Sequence, residues 1–320
     1  MQEIYKKLKE FGKVKLNEPL SKHTTFKIGG PADFLVLVDE IKKLIELLKF
    51  LEGEGVEYFI LGGGSNLLVV DEGFRGVVIK ISDQDFKIED NLVEVCAGCF
   101  LSKVAQQTVA AGLTGFEWGV GIPGTIAGAV RGNAAYSGKA MGDIVEKVMA
   151  FSNGELVAYT NAECKFSNKE SIFKHNTDVI LQVWLRLQSA EDNVKSRQEM
   201  LEQIRYRAKT QPTGFPSAGC VFKNYVASEE EKAKFKAVTK DERILNILEK
   251  YSKVPVGWMV EQVGLKGKQV GGAKVSDQHA NFIVNTGEAT AQDVLTLIAE
   301  IKEKVYDKFG VNIEEEIKIL

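Results

Sequence analysis

Over its first part the chain alternates short β-forming runs with an amphipathic helical run, and this alternation constrains the fold more than any other feature of the sequence. The order is "DFLVLV", then "IKKLIELLKFLEGEG", then "YFILG". Such alternation is typical of mixed layers of helix and sheet. More β-rich runs follow, and Asn153 with Gly154 between two of them predicts a two-residue hairpin turn. The sequence therefore predicts an α+β fold.

The character of the chain changes near residue 189. Ser189 and Asp192 match a capping-box pattern at the start of a polar helix that ends near "KTQPTGFP". This helix is a candidate domain linker. We therefore expect an N-terminal region, 1–188, and a C-terminal region, 189–320.

Two further features of the C-terminal region predict helices. The charged stretch 228–250 predicts a pair of helices on the surface. Thr290 and Asp293 form a second capping-box pattern before a long helical run. The closing "NIEEEIKIL" is β-like, so this part of the chain also mixes helix and strand.

Charge and composition indicate the kind of partner. The 41 Lys and Arg residues balance the 44 Asp and Glu residues, so the chain has no basic field for a nucleic-acid backbone. A small-molecule partner fits better. The opening "MQEIYKKLKEFGK" lacks the apolar core of a signal peptide, and no apolar run approaches the ~20 residues that span a bilayer. We expect a cytoplasmic protein without a membrane segment.

The segment "ILGGGSNLLVV" places Gly62, Gly63 and Gly64 directly after a β run. Glycine can point several backbone N–H groups toward one anion, and Ser65 and Asn66 add further donors. The segment lacks the Lys of a Walker loop. It therefore predicts a pyrophosphate cradle, with a tight glycine-rich hairpin as the alternative.

A second glycine-rich segment, "WGVGIPGTIAG", contains the spacing G-x-G-x-x-G at Gly119, Gly121 and Gly124. We reject a Rossmann motif because the segment follows "LTGFEW" rather than a strand and contains a Pro, although Asp143 lies at about the ribose-binding distance. Gly121, Gly124 and Gly128 still allow a ligand to approach the backbone closely. Two such loops favour one long ligand, such as a dinucleotide.

The four cysteines raise the question of thiol or metal chemistry. Cys96 and Cys99 form a C-x-x-C, but no second ligand pair completes a zinc site, so two buried thiols are the simpler interpretation. Cys220 stands in "PSAGCVFKN", where polar neighbours are typical of a substrate-facing turn. From these residues alone, both a buried core thiol and a reacting group stay open for Cys220.

Several segments follow one another in a fixed order along nearly the whole chain: "SKHTTFKIGGPADFLV", "LGGGSNLLV", "GIPGTIAGAVRGNAAYSGKAMGDIVE", "PSAGCVFKN", "VGGAKVSDQHANFIVN" and "IEEEIKIL". Together they resemble the UDP-N-acetylenolpyruvoylglucosamine reductase family, flavoenzymes of peptidoglycan synthesis. The resemblance implies an FAD-binding region, 1–188, of the vanillyl-alcohol-oxidase type, with two α/β subdomains that divide near residue 80. It also implies a separate α+β substrate domain, 189–320, whose final segment 311–320 could return to the FAD-binding region.

The resemblance further implies a reaction and its cofactors. NADPH reduces bound FAD, and a hydride then passes to the enolpyruvyl group of UDP-N-acetylglucosamine enolpyruvate, which yields UDP-N-acetylmuramate. The expected cofactor-binding residues lie in the two glycine-rich segments and just after them: Gly62, Gly63, Gly64, Ser65, Asn66, Gly121, Ile122, Pro123, Gly124, Gly128 and Asn133.

The resemblance also implies the catalytic residues. Cys220 occupies the position of the family's proton-donating Ser, and a thiol with a pKa of ~8.5 is a workable donor at neutral pH. Glu316 matches the C-terminal Glu that acts on the substrate carboxylate. The family pattern F-x-Y-R-x-S-x-F reads "FSNKESIF" here. Lys169 therefore stands at the Arg position, with Asn168 at the Tyr position, and lacks the planar fork of a guanidinium.

Other basic and amide residues have roles implied in the same way. Three arginines are candidates to supply the guanidinium group that Lys169 lacks: Arg131, Arg205 and Arg207. For substrate binding, Asn224 matches a family Asn, and Arg207 or Lys209 could meet the UDP diphosphate.

Two other functions stay open for the sequence. Because Lys169 stands at the position of the family Arg, one alternative is a degenerate UDP-sugar- or flavin-binding protein with weak or lost reductase activity. A flavin oxidase on the same fold is disfavoured because no His stands in a covalent flavin-attachment context. We expect a monomer that acts on a small-molecule substrate, with no nucleic-acid partner and no metal.

Overall fold

A computed structural model describes residues 2–320. The chain forms two compact units. Unit 1 comprises the residues up to His23, Pro31–Ser65 and Gly73–Lys209. Unit 2 comprises Thr24–Gly30, Asn66–Glu72 and Thr210–Leu320.

Helices and strands alternate along the whole described chain. The helices are α1 (Gln2–Phe11), α2 (Ile41–Gly53), α3 (Leu101–Ala110), α4 (Ile126–Arg131), α5 (Asn193–Thr210), α6 (Glu229–Val238), α7 (Glu242–Tyr251), α8 (Val256–Gln262) and α9 (Ala291–Phe309). The strands are β1 (Lys13–Pro19), β2 (Pro31–Val38), β3 (Tyr58–Leu61), β4 (Leu67–Leu68), β5 (Phe74–Ile81), β6 (Phe86–Glu89), β7 (Leu92–Cys96), β8 (Leu113–Thr114), β9 (Ala135–Tyr136), β10 (Lys139–Ala140), β11 (Val145–Ser152), β12 (Glu155–Thr160), β13 (Val179–Arg186), β14 (Gln188–Ser189), β15 (Ser217–Cys220), β16 (Tyr225–Val226), β17 (Lys253–Val254), β18 (Gln269–Val270), β19 (Ala273–Val275), β20 (Phe282–Asn285) and β21 (Lys318–Ile319).

The first sheet of unit 1 has the strand order β1-β2-β5-β3, in which β2, β5 and β3 run parallel. The helix α2 connects β2 to β3, as a parallel arrangement requires. Its leucines recur at helical spacing, and all four are buried on one face: Leu44, Leu47, Leu48 and Leu51. That face and the apolar residues of β2 and β5 belong to one hydrophobic core, so the alternation seen in the sequence produces this layer directly.

The second sheet of unit 1 is antiparallel, with the order β12-β11-β13-β7-β6. The predicted hairpin is confirmed: Ser152 pairs with Glu155, and the turn residues Asn153 and Gly154 have φ angles of 48° and 83°. Both angles lie in the left-handed region that a type I′ turn needs. The change from the first sheet to the second lies between Ile81 and Phe86.

Unit 2 is built on a small antiparallel sheet of order β15-β20-β19-β18, with α9 packed against it. The two short segments from the first part of the chain contribute Phe26, Ile28 and Leu68 to its core. The final strand β21 pairs in parallel with β4, inside the same unit. The predicted surface helix pair is present as α6 and α7, which are anchored by a few buried apolar side chains.

The start of α5 differs from the sequence prediction. Ser189 is not a helix cap, because it lies in β14 and pairs with Leu113 of β8. Asp192 is the capping residue, since its Oδ1 accepts from the backbone N–H of Val194 at 2.8 Å. The predicted capping box at Ser189 is therefore wrong, whereas the one at Thr290 and Asp293 is confirmed.

The helix α5 belongs with unit 1, although the sequence assigned it to the C-terminal region that starts at 189. Two polar contacts attach it there. Ser196 on the helix hydrogen-bonds the buried carboxylate of Glu117, and Lys139 Nζ lies 3.2 Å from Glu199 Oε1. None of the helices within residues 2–320 is long and apolar enough to cross a membrane.

The N-terminus of α9 gives a test of unit 2. Asp71 accepts from the backbone N–H groups of Ala291 and Gln292, at 2.9 and 3.2 Å, and so caps a helix that is distant in sequence. We expect Asp71→Ala to lower the free energy of unfolding by about 1 kcal/mol, measured by urea denaturation. Glu303→Ala, on an exposed part of the same helix, is the control and should change it by less than about 0.5 kcal/mol. Equal effects of the two substitutions would contradict the cap.

Candidate functional site

The first glycine-rich loop follows β3 and packs against the second loop within unit 1. A Cβ on Gly63 would lie 2.7 Å from the Cα of Gly124, and a Cβ on Gly62 would lie 2.6 Å from Thr125 Oγ1. Real Cβ atoms do not approach other atoms this closely, so only glycine allows the contact. The two loops that the sequence predicted to share a ligand therefore touch each other, backbone against backbone.

The second loop is held by its neighbours. Ser65 Oγ donates to the carbonyl of Pro123 at 2.9 Å, and the Gly124 carbonyl accepts from the backbone N–H of Leu101 at 3.0 Å. Thr125 then caps the short helix α4. The loop follows a 3-10 turn, Glu117–Gly119, rather than a strand, and this confirms that its glycine spacing is not a Rossmann motif.

The conformation of the two loops fits an anionic cofactor. Gly64, Gly121 and Gly124 have φ angles of 62°, 76° and 127°, a region that side-chain-bearing residues rarely adopt. Successive N–H groups in such conformations form anion-binding concavities. The paired loops are thus suited to the pyrophosphate of a dinucleotide. That Gly62–Ser65 and the loop that contains Ile122 bind the cofactor stays a prediction.

The Asn133 side chain, which the sequence predicts to contact the cofactor, makes two local hydrogen bonds. Its side chain is buried, its Nδ2 donates to the carbonyl of Ser167 at 2.7 Å, and its Oδ1 accepts from the backbone N–H of Gly142 at 2.9 Å. Both polar atoms are therefore used to hold two loops in place. Gly128 also has a local role, because its N–H donates to Thr125 Oγ1 at 3.4 Å inside α4.

Cys220 is the most exposed of the four cysteines. The other three are buried, and burial raises the pKa of Cys96 and Cys164 to about 12 and that of Cys99 to about 11. Cys220 is half-buried at the end of β15. The sequence left open whether Cys220 is a core thiol, and its exposure favours the reacting group.

A β-bulge sets the direction of Cys220. Ser217 pairs with Val284 and Cys220 with Phe282, so the two strands lose register between these pairs. Gly219 has a φ of 80° within the bulge. Bulges of this kind re-aim a side chain and are frequent beside active sites.

Glu316 lies beside the Cys220 strand within unit 2. Its backbone N–H donates to the carbonyl of Val221 at 2.7 Å, one residue after the cysteine. Asn66, from the end of the first glycine-rich segment, donates through Nδ2 to the Glu316 carbonyl at 3.0 Å. A direct backbone contact thus joins the segments of the cysteine and the C-terminal glutamate. That the two side chains act in one site stays a prediction.

Sequence reasoning missed Asn281, which holds the strand after Cys220. Its side chain is buried, with Nδ2 donating to the Phe222 carbonyl at 2.9 Å and Oδ1 accepting from the Phe222 N–H at 3.0 Å. An Asn inside the apolar run "HANFIVN" is the signal that could have found it, because a buried amide needs backbone partners.

The predicted substrate-binding residues lie in different units. In unit 1, Arg207 stacks on Tyr136, with its guanidinium carbon 4.8 Å from the ring centroid, and its Cδ is 3.4 Å from where a Gly121 Cβ would be. Lys209 is exposed near the end of α5. In unit 2, Asn224 is exposed, and its Oδ1 accepts from the Val256 N–H at 3.3 Å.

Lys169 occupies a tight turn in unit 1. Ser167 and Glu170 exchange two backbone hydrogen bonds of 3.1 and 3.2 Å, and Lys169 has a φ of 61° between them. Lys174 Nζ donates to the Lys169 carbonyl at 2.5 Å. The backbone of Lys169 is thus fixed by this turn.

Two family models match the chain. The model described as "FAD binding domain" matches residues 32–158, which include both glycine loops. The model described as "UDP-N-acetylenolpyruvoylglucosamine reductase, C-terminal domain" matches residues 211–320, which include Cys220 and Glu316. The first match and the paired loops define the class: the chain is an FAD-binding flavoprotein.

Full-length relatives give the family. UDP-N-acetylenolpyruvoylglucosamine reductase of Caldanaerobacter subterraneus subsp. tengcongensis is 40% identical over 98% of this chain and 97% of its own length. That of Bacillus subtilis is 37% identical over 100% of this chain and 99% of its own. The crystal structure of UDP-N-acetylenolpyruvylglucosamine reductase from Thermus caldophilus matches with a TM-score of 0.75 and 31% identity, covering 96% of this chain and 98% of that chain. The chain belongs to the UDP-N-acetylenolpyruvoylglucosamine reductase family, which confirms the resemblance, the α+β FAD-binding fold and the cofactor.

The contact between the glycine loops predicts how FAD binding responds to a single methyl group. Gly63→Ala would force the Gly124 backbone away, and overpacking of this kind costs about 1–3 kcal/mol, so FAD affinity should fall roughly tenfold or more. The measurement is the dissociation constant of FAD from flavin fluorescence. Gly53→Ala is the matched control, because no atom lies within 4 Å of the added methyl group. The affinity of this variant for FAD should equal that of the wild-type protein. Unchanged affinity in Gly63→Ala would contradict the site.

The difference in exposure predicts which thiol reacts. Cys96, Cys99 and Cys164 have pKa values raised to about 11–12, so they stay protonated and unreactive as the pH rises to about 9. Iodoacetamide at pH 8 should therefore label Cys220 first, as located by mass spectrometry of peptides. The Cys220→Ser protein should take up almost no label over the same time, and early labelling of a buried cysteine would contradict the assignment.

Proposed function

We propose that the protein reduces UDP-N-acetylglucosamine enolpyruvate to UDP-N-acetylmuramate, with NADPH as the reductant. Membership of the reductase family supports this reaction. The structural observation that carries it is the half-exposed Cys220 on a bulge, one residue from the backbone contact with Glu316. When bound, FAD carries the hydride from NADPH to the methylene carbon of the enolpyruvyl group.

The paired glycine loops bind and orient the cofactor. Their backbone N–H groups would donate hydrogen bonds to the pyrophosphate, and the contact between Gly63 and Gly124 holds the two loops at a fixed distance. Ser65 bonds the first loop to the second through the Pro123 carbonyl, and Thr125 caps the helix that follows the second loop. A rigid cradle places the reacting part of a bound dinucleotide reproducibly, which is the main contribution that a protein makes to cofactor chemistry.

Cys220 supplies the proton. Addition of hydride to the methylene carbon leaves negative charge on the adjacent carbon and its carboxylate, and transfer of one proton to that carbon completes the reduction. A thiol with an ordinary pKa of ~8.5 is mostly protonated at neutral pH and is a stronger acid than a hydroxyl group. The resulting thiolate regains its proton from solvent, so atoms and charges balance over the cycle.

Glu316 and Lys169 act on the substrate carboxylate while this charge develops. A cation and a hydrogen-bonding carboxyl group at that point stabilise the enolate that precedes protonation. Asn224 keeps its amide N–H groups as donors for the substrate, since its Oδ1 already accepts from Val256. Arg207 and Lys209 provide positive charge for the diphosphate.

We also propose that the protein works as a monomer in the cytoplasm, without a nucleic-acid partner. The substrate and the reductant are both small, charged metabolites. The chain's 41 basic and 44 acidic residues give no charge excess for binding a polyanion.

Separate half-reactions test the role of Cys220. In Cys220→Ala, NADPH should bleach the flavin at the wild-type rate, whereas reoxidation by the enolpyruvyl substrate under anaerobic conditions should slow by roughly 10²–10⁴-fold, the usual contribution of a general acid. Stopped-flow absorbance measures both steps. Cys220→Ser, which keeps an O–H donor, should retain a large part of the rate, and unchanged reoxidation in the Ala variant would remove the assignment.

A further inference from the structure

Arg131 is a half-buried cation at the end of α4, against the turn that contains Lys169. Ser171 Oγ donates to the Arg131 carbonyl at 2.7 Å and so joins the helix end to this turn. Burial lowers the pKa of the guanidinium, and the negative charge of Glu170 opposes this shift. Arg131 thus lies close to Glu170 in a partly desolvated position.

Glu170 is already engaged by two other side chains. Lys174 Nζ lies 3.5 Å from its Oε1, and His175 Nε2 lies 3.0 Å from its Oε2. Within residues 2–320 no hydrogen bond or ion pair of the Arg131 guanidinium is found. A cation removed from water without a bonded carboxylate is costly to the folded state, so its retention points to an anion outside the protein chain.

The other arginines have partners or lie in water. Three pair with carboxylates at 2.5 to 2.8 Å: Arg75 with Asp33, Arg186 with Glu146 and Arg243 with Asp241. Arg207 stacks on Tyr136, and Arg197 and Arg205 are exposed on α5. Of the candidates that the sequence left unranked, Arg131 alone is desolvated and adjacent to the Lys169 turn.

We propose that Arg131 binds the carboxylate of the enolpyruvyl group and supplies the two-pronged contact that the ammonium of Lys169 cannot make. This inference depends on the proposed function. A guanidinium presents two parallel N–H donors that match a carboxylate, whereas an ammonium acts as a point charge. Together the two cations would stabilise the charge that builds up on this carboxylate before the proton arrives.

The test separates the carboxylate from the rest of the substrate. Arg131→Ala should weaken binding of the enolpyruvyl substrate and slow reoxidation of the reduced flavin, together by roughly 10- to 100-fold, as expected for loss of charge-assisted hydrogen bonds. Binding of UDP-N-acetylglucosamine, which lacks the carboxylate, should be unchanged, as should FAD content and the rate of bleaching by NADPH. Arg197→Ala, in the same unit and exposed, is the control and should match wild type in every measurement.

A rescue experiment excludes a purely structural role. Adding Lys169→Arg to Arg131→Ala should raise the rate of reoxidation about tenfold above that of Arg131→Ala alone. The neighbouring turn then carries a guanidinium, which can donate two parallel hydrogen bonds to the carboxylate. Should Arg131→Ala not fold, Arg131→Gln, which keeps the length of the stem, replaces it in the same series.

The outcomes that overturn the inference are distinct. The assignment would be removed if the Arg131 variants kept wild-type substrate affinity and wild-type reoxidation. It would equally be removed if they bound UDP-N-acetylglucosamine as weakly as the enolpyruvyl substrate, if they lost FAD, or if Lys169→Arg gave no rescue. Failure of the wild-type protein itself to reoxidise with the enolpyruvyl substrate would instead overturn the proposed function.

Discussion

The candidate cofactor site depends on one close approach between two backbones, that of Gly63 and Gly124. A side chain at Gly63 would place its first carbon 2.7 Å from the Cα of Gly124, so the loops meet at this distance only because Gly63 lacks one. Thr125 fills the space beside Gly62, and the Ser65 hydroxyl binds the second loop through Pro123. The anion-binding surface is therefore made chiefly of main chain, whose N–H groups keep their positions without the entropy cost of ordering long side chains.

In unit 2 the proposed proton donor, Cys220, is positioned by paired backbone segments. The bulge at Gly219 turns Cys220 out of the regular sheet, while Asn281 fixes the next turn of chain at Phe222. The C-terminal segment then bonds to Val221, which brings Glu316 beside the cysteine strand. Placement by main-chain hydrogen bonds holds the thiol and the carboxyl group more firmly than a mobile loop would.

Local patterns in the sequence were sufficient for much of the fold. The amphipathic spacing of α2, the Asn153–Gly154 turn and the Thr290 cap were predicted correctly because each depends on neighbouring residues. Ser189 was misassigned since its pairing with Leu113 in another strand overrides its capping tendency. Likewise, the transfer of Thr24–Gly30 and Asn66–Glu72 to unit 2 follows from packing between distant parts of the chain, which no local pattern contains.

The site residues show the same division. The glycine loops and Cys220 are recognisable as residue types in short motifs, whereas the two hydrogen bonds of the Asn133 amide to distant backbone are visible only in the folded chain. Arg131 could not be ranked above Arg205 or Arg207 because desolvation and pairing depend on the folded surroundings. The sequence therefore indicates which chemical groups are available, whereas their burial and hydrogen-bond partners depend on the fold.

The end of the chain completes a strand pair rather than trailing from the surface. Leu320 donates its N–H to Leu68 at 2.9 Å and accepts from the Val70 N–H at 2.7 Å, so the last residue is hydrogen-bonded on both sides. During synthesis, β4 is made long before β21, its partner in this strand pair. Unit 2 can therefore complete this pair only after β21 has been made, and until then β4 has an unpaired edge.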